Sequence, residues 1–169
     1  MKRRLLGILQ VAAVLLPALA IYAWQTRDLL PAGDRVQAPA FELADVGGGR
    51  LGTAALEGRP TVLYFFAPWC RVCAVSAPQL RWFDRWFGDS ARLVLVAQDY
   101  GSAEEVAAWA RKHELDMPVL LGDAGTATDY RIRGYPTYYV LDDRGRIAAR
   151  DFGVSTVLGL WWRTRGLGG

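Results

Sequence analysis

The apolar run Thr61-Val62-Leu63-Tyr64-Phe65-Phe66 leads directly into Trp69-Cys70-Arg71-Val72-Cys73, and these two cysteines are the only ones in 169 residues. A run that is apolar on both faces reads as a strand in the middle of a covered sheet. Gly58-Arg59-Pro60 breaks the chain before it. With no other thiol, the chain has no disulfide framework to build. Two thiols separated by two residues, where a strand hands over to a helix, read most simply as a redox pair. A structural bridge at this spacing closes too small a loop to be a good staple. A metal site needs further ligands. The chain offers His113, placed near a helix end among charged residues and expected to be solvated, and Met1 and Met117. No metal or cofactor is expected.

The length suits one domain plus an appendage. The net charge is +3, but setting aside Lys2, Arg3 and Arg4 leaves the basic residues equal in number to the 17 acidic ones. The basic pI therefore comes from the extreme N-terminus, and a nucleic-acid partner is not expected. Leu5 to Trp24 is apolar except for Gln10. At helical rise that stretch spans roughly 30 Å, about one hydrocarbon core. The positive-inside rule keeps the basic patch in the cytoplasm and exports the rest. The alternative is a signal peptide cleaved after Ala20, with Pro17 ending the apolar helix. The run continues past that point, which favours an uncleaved anchor.

The expected organisation is a membrane anchor or signal segment over 1–24, a linker over 25–37 and a folded domain over 38–169. Segments around Phe41–Leu43 and Arg50–Thr53 flank three glycines and read as a hairpin. After Cys73 a helix is expected to about Phe87, kinked at Pro78. Strands follow at Leu93–Ala97, Val119–Leu121, Thr137–Leu141 and Arg146–Arg150. Helices are expected from a Ser102/Glu105 capping box to about Lys112, over Thr126–Arg131, and last after a Ser155 cap. Strands alternating with helices call for a mixed α/β sheet covered on both faces.

Cys70 falls at the first turn of its helix, where unpaired N–H groups and the helix dipole favour a thiolate, and Arg71 adds a positive charge nearby. Cys73, one turn on, is expected to be the more buried. Cys70 is then the attacking sulfur and Cys73 the resolving one. Gly134-Tyr135-Pro136-Thr137 is the second element. A proline just before a strand is a candidate cis peptide, and such a loop presents backbone groups to an extended partner.

Phe65 to Cys73, with Pro78 five residues beyond, resembles the thioredoxin active site and its helix. Tyr130 to Thr137 is similar to the thioredoxin cis-proline segment. With the hairpin, the β-α insertion and the anchor, the chain from about Ala38 to Arg163 resembles the TlpA/ResA-type thiol–disulfide reductases of bacterial envelopes. The resemblance implies a thioredoxin-like fold preceded by one transmembrane helix. It implies Cys70 as nucleophile, Cys73 as resolving thiol, Pro136 as the cis-proline and Trp69 as the aromatic beside them, with Arg71 and Tyr135 also facing the client. It also implies periplasmic clients, such as apocytochrome c or copper-site cysteines, and a transmembrane electron donor of the DsbD/CcdA type.

Two positions depart from the pattern. Thioredoxin carries a buried Asp where this chain has Tyr64, and many ResA-type proteins carry a Glu where it has Ser76. Both acids help manage the proton of the resolving thiol. The Arg-Val pair between the cysteines differs from the commoner Gly-Pro, and that dipeptide tunes reduction potential. An oxidase or isomerase using the same residues, or a copper-binding metallochaperone-like module, are the competing readings. A peroxiredoxin is disfavoured because Ala67 stands where its Thr would be.

Overall fold

The computed structural model describes residues 2–33 and 36–168, with side chains described from residue 11. In chain order it contains helix α1 (Lys2–Thr26), strands β1 (Glu42–Asp45) and β2 (Arg50–Gly52), and a 3-10 turn (Thr53–Leu56). Then come β3 (Thr61–Phe66), α2 (Arg71–Phe87), β4 (Arg92–Ala97), α3 (Ala103–Lys112) and β5 (Val119–Leu121). Helix α4 (Ala124–Asp129), β6 (Thr137–Leu141), β7 (Ile147–Phe152) and α5 (Val157–Thr164) complete it.

The strands form one sheet in the order β2-β1-β5-β4-β3-β6-β7. β3, β4 and β5 run parallel, and the pairs on either side are antiparallel. β3 lies inside, and all six of its residues are buried. The two-residue period of a strand divides them between two cores. Val62, Tyr64 and Phe66 face one core with the inner sides of α2, α3 and α5. Leu63 and Phe65 face the other, with Leu29, Leu56 and Tyr130. This is the mixed, doubly covered sheet expected from the alternation of elements, with the hairpin at one edge.

Helix α2 is amphipathic at the spacing expected: Cys73, Ala77, Leu80 and Phe83 are buried. The helix continues through Pro78. Three capping details differ from expectation. Ser102 accepts from Glu105 N, but Glu105 Oε2 returns its bond to Gly101 N rather than to Ser102. Helix α4 starts earlier than expected because the Asp123 carboxylate accepts from both Thr126 N and Thr126 Oγ1. The last helix is capped by Thr156, which accepts from Gly159 N, while Ser155 Oγ accepts from Arg163.

The N-terminal apolar stretch is a helix and passes through Pro17 without ending there. The expected transmembrane span does not appear as such: among the described residues no helix is long and apolar enough to cross a membrane. The side chains of residues 2–10, which include the basic patch and Gln10, lie outside the described residues. Residues 29, 30 and 37 of the segment expected as a linker contact the folded domain. Leu29 is buried, Arg150 donates to the carbonyls of Leu29 and Leu30, and the Tyr139 hydroxyl accepts from Leu30 N. Gln37 then forms an isolated bridge with Arg146 beside the Asp142–Gly145 turn.

Candidate active site

β3 ends at Phe66, and four residues later Cys70 caps α2. Its backbone is extended, as a cap requires, and its sulfur accepts from Cys73 N at 3.1 Å. Cys70 and Cys73 form a disulfide with their Cα atoms 5.2 Å apart. Cys70 is 7% exposed and Cys73 is fully enclosed, so of the two residues only Cys70 has any exposure.

The second element meets the first from across the sheet. β6 pairs with β3, so the loop before Thr137 lies beside the start of α2. The Tyr135–Pro136 peptide is cis, and Cys70 Sγ lies 3.7 Å from the Tyr135 carbonyl oxygen. Gly134 lets the same loop pack against β7: a Cβ there would stand 3.1 Å from two ring carbons of Phe152. Trp69 is 63% exposed, and its ring meets that of Tyr135 edge-on at 5.9 Å. Arg71 opens α2 on the exposed side. The structure thus brings Trp69, Cys70, Arg71, Cys73, Tyr135 and Pro136 to one end of the sheet.

Asp99 completes this group and was not anticipated. Its carbonyl accepts from Trp69 Nε1 at 2.9 Å and its carboxylate from the Tyr135 hydroxyl at 3.0 Å. It therefore ties the loop before α2 to the loop before β6. Its φ is +47°, a left-handed conformation that Asp and Asn tolerate better than other side chains. Burial first, and then the bond to Asp99, push the Tyr135 phenol above its usual range, so it remains a donor. Asp99→Ala is expected to cost about 2 kcal/mol, from one hydrogen bond and the left-handed backbone. Asp99→Asn retains an acceptor and should recover most of that. Denaturant midpoints of the two variants measure the difference; equal losses would contradict this account of Asp99.

Behind the disulfide, the two positions without an acid hold hydroxyls. Tyr64 donates to the Cys73 carbonyl at 3.4 Å, and Ser76 donates to the Val72 carbonyl at 3.0 Å. The Tyr64 ring packs on Tyr138, with centroids 4.9 Å apart. Burial is the main reason that the Tyr64 phenol is raised far above its usual value, with Tyr138 adding and Ser76 opposing. Neither phenol serves as a base near neutral pH. His113, expected to be solvated, packs against Trp109 at 4.6 Å between ring centroids. Burial first and Lys112 second lower its pKa. It belongs to the end of α3, away from the cysteine loop. Among the described residues no three His, Cys, Asp or Glu side chains are grouped to hold a metal.

The profile of the AhpC/TSA family matches residues 35–150. The chain belongs to that family. Within the AhpC/TSA family it falls with the TlpA/ResA-type proteins, as its relatives indicate. It is 30% identical over 161 residues to the thioredoxin-like protein YneN of Bacillus subtilis, covering 93% of this chain and 92% of that one. It is 24% identical over 123 residues to the thiol-disulfide oxidoreductase ResA of Bacillus cereus, covering 71% and 70%. The crystal structure of StoA from Bacillus subtilis superposes with a TM-score of 0.67 at 25% identity, over 80% of this chain and all of that one. A thioredoxin-family thiol:disulfide interchange protein from Chlorobium tepidum superposes with a TM-score of 0.73 at 20% identity, over 82% and 100%. The fold is thioredoxin-like, and this AhpC/TSA member is a thiol–disulfide oxidoreductase.

Proposed function

We propose that the chain reduces disulfides in exported proteins while tethered to a membrane by its N-terminal helix. One observation carries the assignment of roles. Cys70 is the one of the two with any exposure, it caps α2, and its sulfur lies 3.7 Å from the carbonyl before Pro136, while Cys73 is fully enclosed. In this reading the Cys70 thiolate attacks the client disulfide. The helix N-terminus steadies its charge. The client chain lies along Tyr135 and Pro136, between Trp69 and Arg71. Cys73 then attacks Cys70, the client thiol leaves, and the disulfide described above is the product. A transmembrane donor of the DsbD/CcdA type restores the dithiol. Apocytochrome c cysteines and copper-site cysteines are the clients that the TlpA/ResA resemblance suggests.

The exposed apolar residues of α1, among them Val14, Leu16, Leu19 and Trp24, support the anchor. The domain would then face the periplasm, with residues 1–24 in the inner membrane, 25–37 joining and 38–169 folded as the catalytic unit. Direction is tested by the reduction potential of the Cys70/Cys73 pair, equilibrated against glutathione. A value near thioredoxin's, about −270 mV, is expected; one near DsbA's, about −120 mV, would replace the reductase with an oxidase.

A further inference from the structure

The cavity beside the end of α1 has no part in the redox chemistry described above. It encloses about 310 Å³, at the lower end of the range for small-ligand sites. Trp24, Leu29 and Phe152 give it apolar walls, and Arg27, Arg131 and Arg133 line it with a single carboxylate, Asp28. One oxygen of Asp28 serves two of the three cations, Arg133 at 3.2 Å and Arg27 at 3.6 Å. Arg131 makes no ion pair among the described residues. Its φ is +52° just after α4, a left-handed position that glycine usually fills. The negative end of the α1 dipole lies near. Two of its last carbonyls are already bonded, that of Tyr22 by Thr26 Oγ1 and that of Thr26 by Leu29 N. The cavity therefore combines apolar walls with an excess of positive charge, which suits an amphipathic anion.

We infer that this cavity binds the phosphate-bearing headgroup of an anionic phospholipid. The inference rests on the proposed reading of α1 as a membrane anchor. The apolar run of the sequence ends at Trp24, and Trp24 lines the cavity. Tyr22 and Trp24 are exposed, and amphipathic aromatics settle at the headgroup level of a bilayer. The Arg27 guanidinium lies 5.5 Å over the Trp24 ring, so a cation accompanies the aromatic to that level. With Trp24 at the interface, the cavity lies at the depth of the lipid phosphates. Arginine presents a planar fork that meets two phosphate oxygens at once, and such charge-assisted bonds are roughly twice as strong as neutral ones. Arg131, which no carboxylate neutralises, has the most to offer. The apolar walls then take the glycerol end of the acyl chains. Phosphatidylcholine carries its own cation and is the poorer ligand for a cavity that already has a surplus of them. Arg133 and Thr137 flank the Tyr135–Pro136 peptide in the chain and both line the cavity, so the lipid site and the redox loop share a stretch of backbone.

The full chain, purified in a neutral detergent, is titrated with phosphatidylglycerol and with phosphatidylcholine, and bound lipid is counted by native mass spectrometry. Phosphatidylglycerol is expected to bind the more tightly. Arg131→Gly removes the cation and suits the left-handed backbone. It should keep or raise the Tm while weakening phosphatidylglycerol about tenfold, the loss of one charge-assisted contact. Arg27→Gln should act in the same direction. Arg111→Gln, which removes an exposed cation on α3, should leave binding unchanged; an equal loss there would reduce the effect to net charge and overturn the inference. Equal binding of the two lipids, or an Arg131→Gly variant that binds as the wild type does, would overturn it as well. Inorganic phosphate is the third probe. If it binds as tightly as phosphatidylglycerol, with the same dependence on Arg131, the ligand is a free anion and the lipid assignment falls. Each of these outcomes leaves the anchor standing. A full chain that does not float with phosphatidylcholine vesicles would overturn the anchor reading, and this inference with it.

Discussion

Cys73→Ser is expected to accumulate a covalent complex between Cys70 and client proteins, and Cys70→Ser to accumulate none. Both variants should lose insulin-reducing turnover down to the uncatalysed background. The asymmetry follows from position. Cys70 caps α2 beside the Tyr135 carbonyl and keeps a small exposure, whereas Cys73 is fully enclosed on the inner face of the same helix. Without the second thiol, the first can attack but cannot be released. Non-reducing gels after acid quenching, followed by identification of the trapped protein, read the outcome. Trapping by Cys70→Ser in place of Cys73→Ser would reverse the roles assigned to the two sulfurs. The identity of the trapped client would also separate haem-binding from copper-site substrates.

Phe66→Ala should be the most damaging change outside the cysteines. The side chain is fully buried at the end of β3, stacks on Trp109 with centroids 4.3 Å apart, and lies 5.9 Å from the Tyr64 ring. Truncating a buried Phe removes its transfer energy and leaves a cavity, at a cost of about 3–5 kcal/mol. That is a large share of the roughly 5–15 kcal/mol that holds a typical domain together. Urea unfolding of the oxidised proteins measures it, using the midpoint shift at constant slope. A loss below about 1 kcal/mol would mean that the core relaxes around the gap, and that the stack on Trp109 is not a fixed element.

The elements governed by local periodicity were legible in the sequence. β3 is apolar at every position, α2 repeats its buried residues every three or four, and the three glycines mark the hairpin. The Cys-x-x-Cys and the Tyr135–Pro136 loop were legible because each is a short contiguous pattern. What escaped depends on partners distant in sequence. Nothing local around Asp99 announces that Trp69 and Tyr135 both bond to it, from 30 and 36 residues away. Leu29 looked like part of a tether because its cover comes from the far strand β7 and the second core. The start of α4 and the cap of α5 lie one or two residues from where the sequence suggests. Ser, Thr and Asp compete for such positions, and only the backbone path decides among them. Tyr64 and Ser76 were recognisable as departures from the family pattern.

The docking of residues 27–30 bears on how far the domain can range. Asp28 pairs with Arg133, three residues before Pro136, and Arg150 grips the carbonyls of Leu29 and Leu30. Trp24 and Asp28 line a cavity with Arg133, Thr137 and Phe152. Helix α1 thus leaves the domain next to the loop that carries Pro136, on a short fastened lead. If α1 is held in a bilayer as proposed above, the redox end of the sheet would stay in a thin layer at the membrane surface. Confinement of that kind raises the effective concentration of any membrane-embedded partner and lowers that of clients free in solution. The same few contacts that tidy the N-terminal segment would then ration the encounters of the cysteine pair.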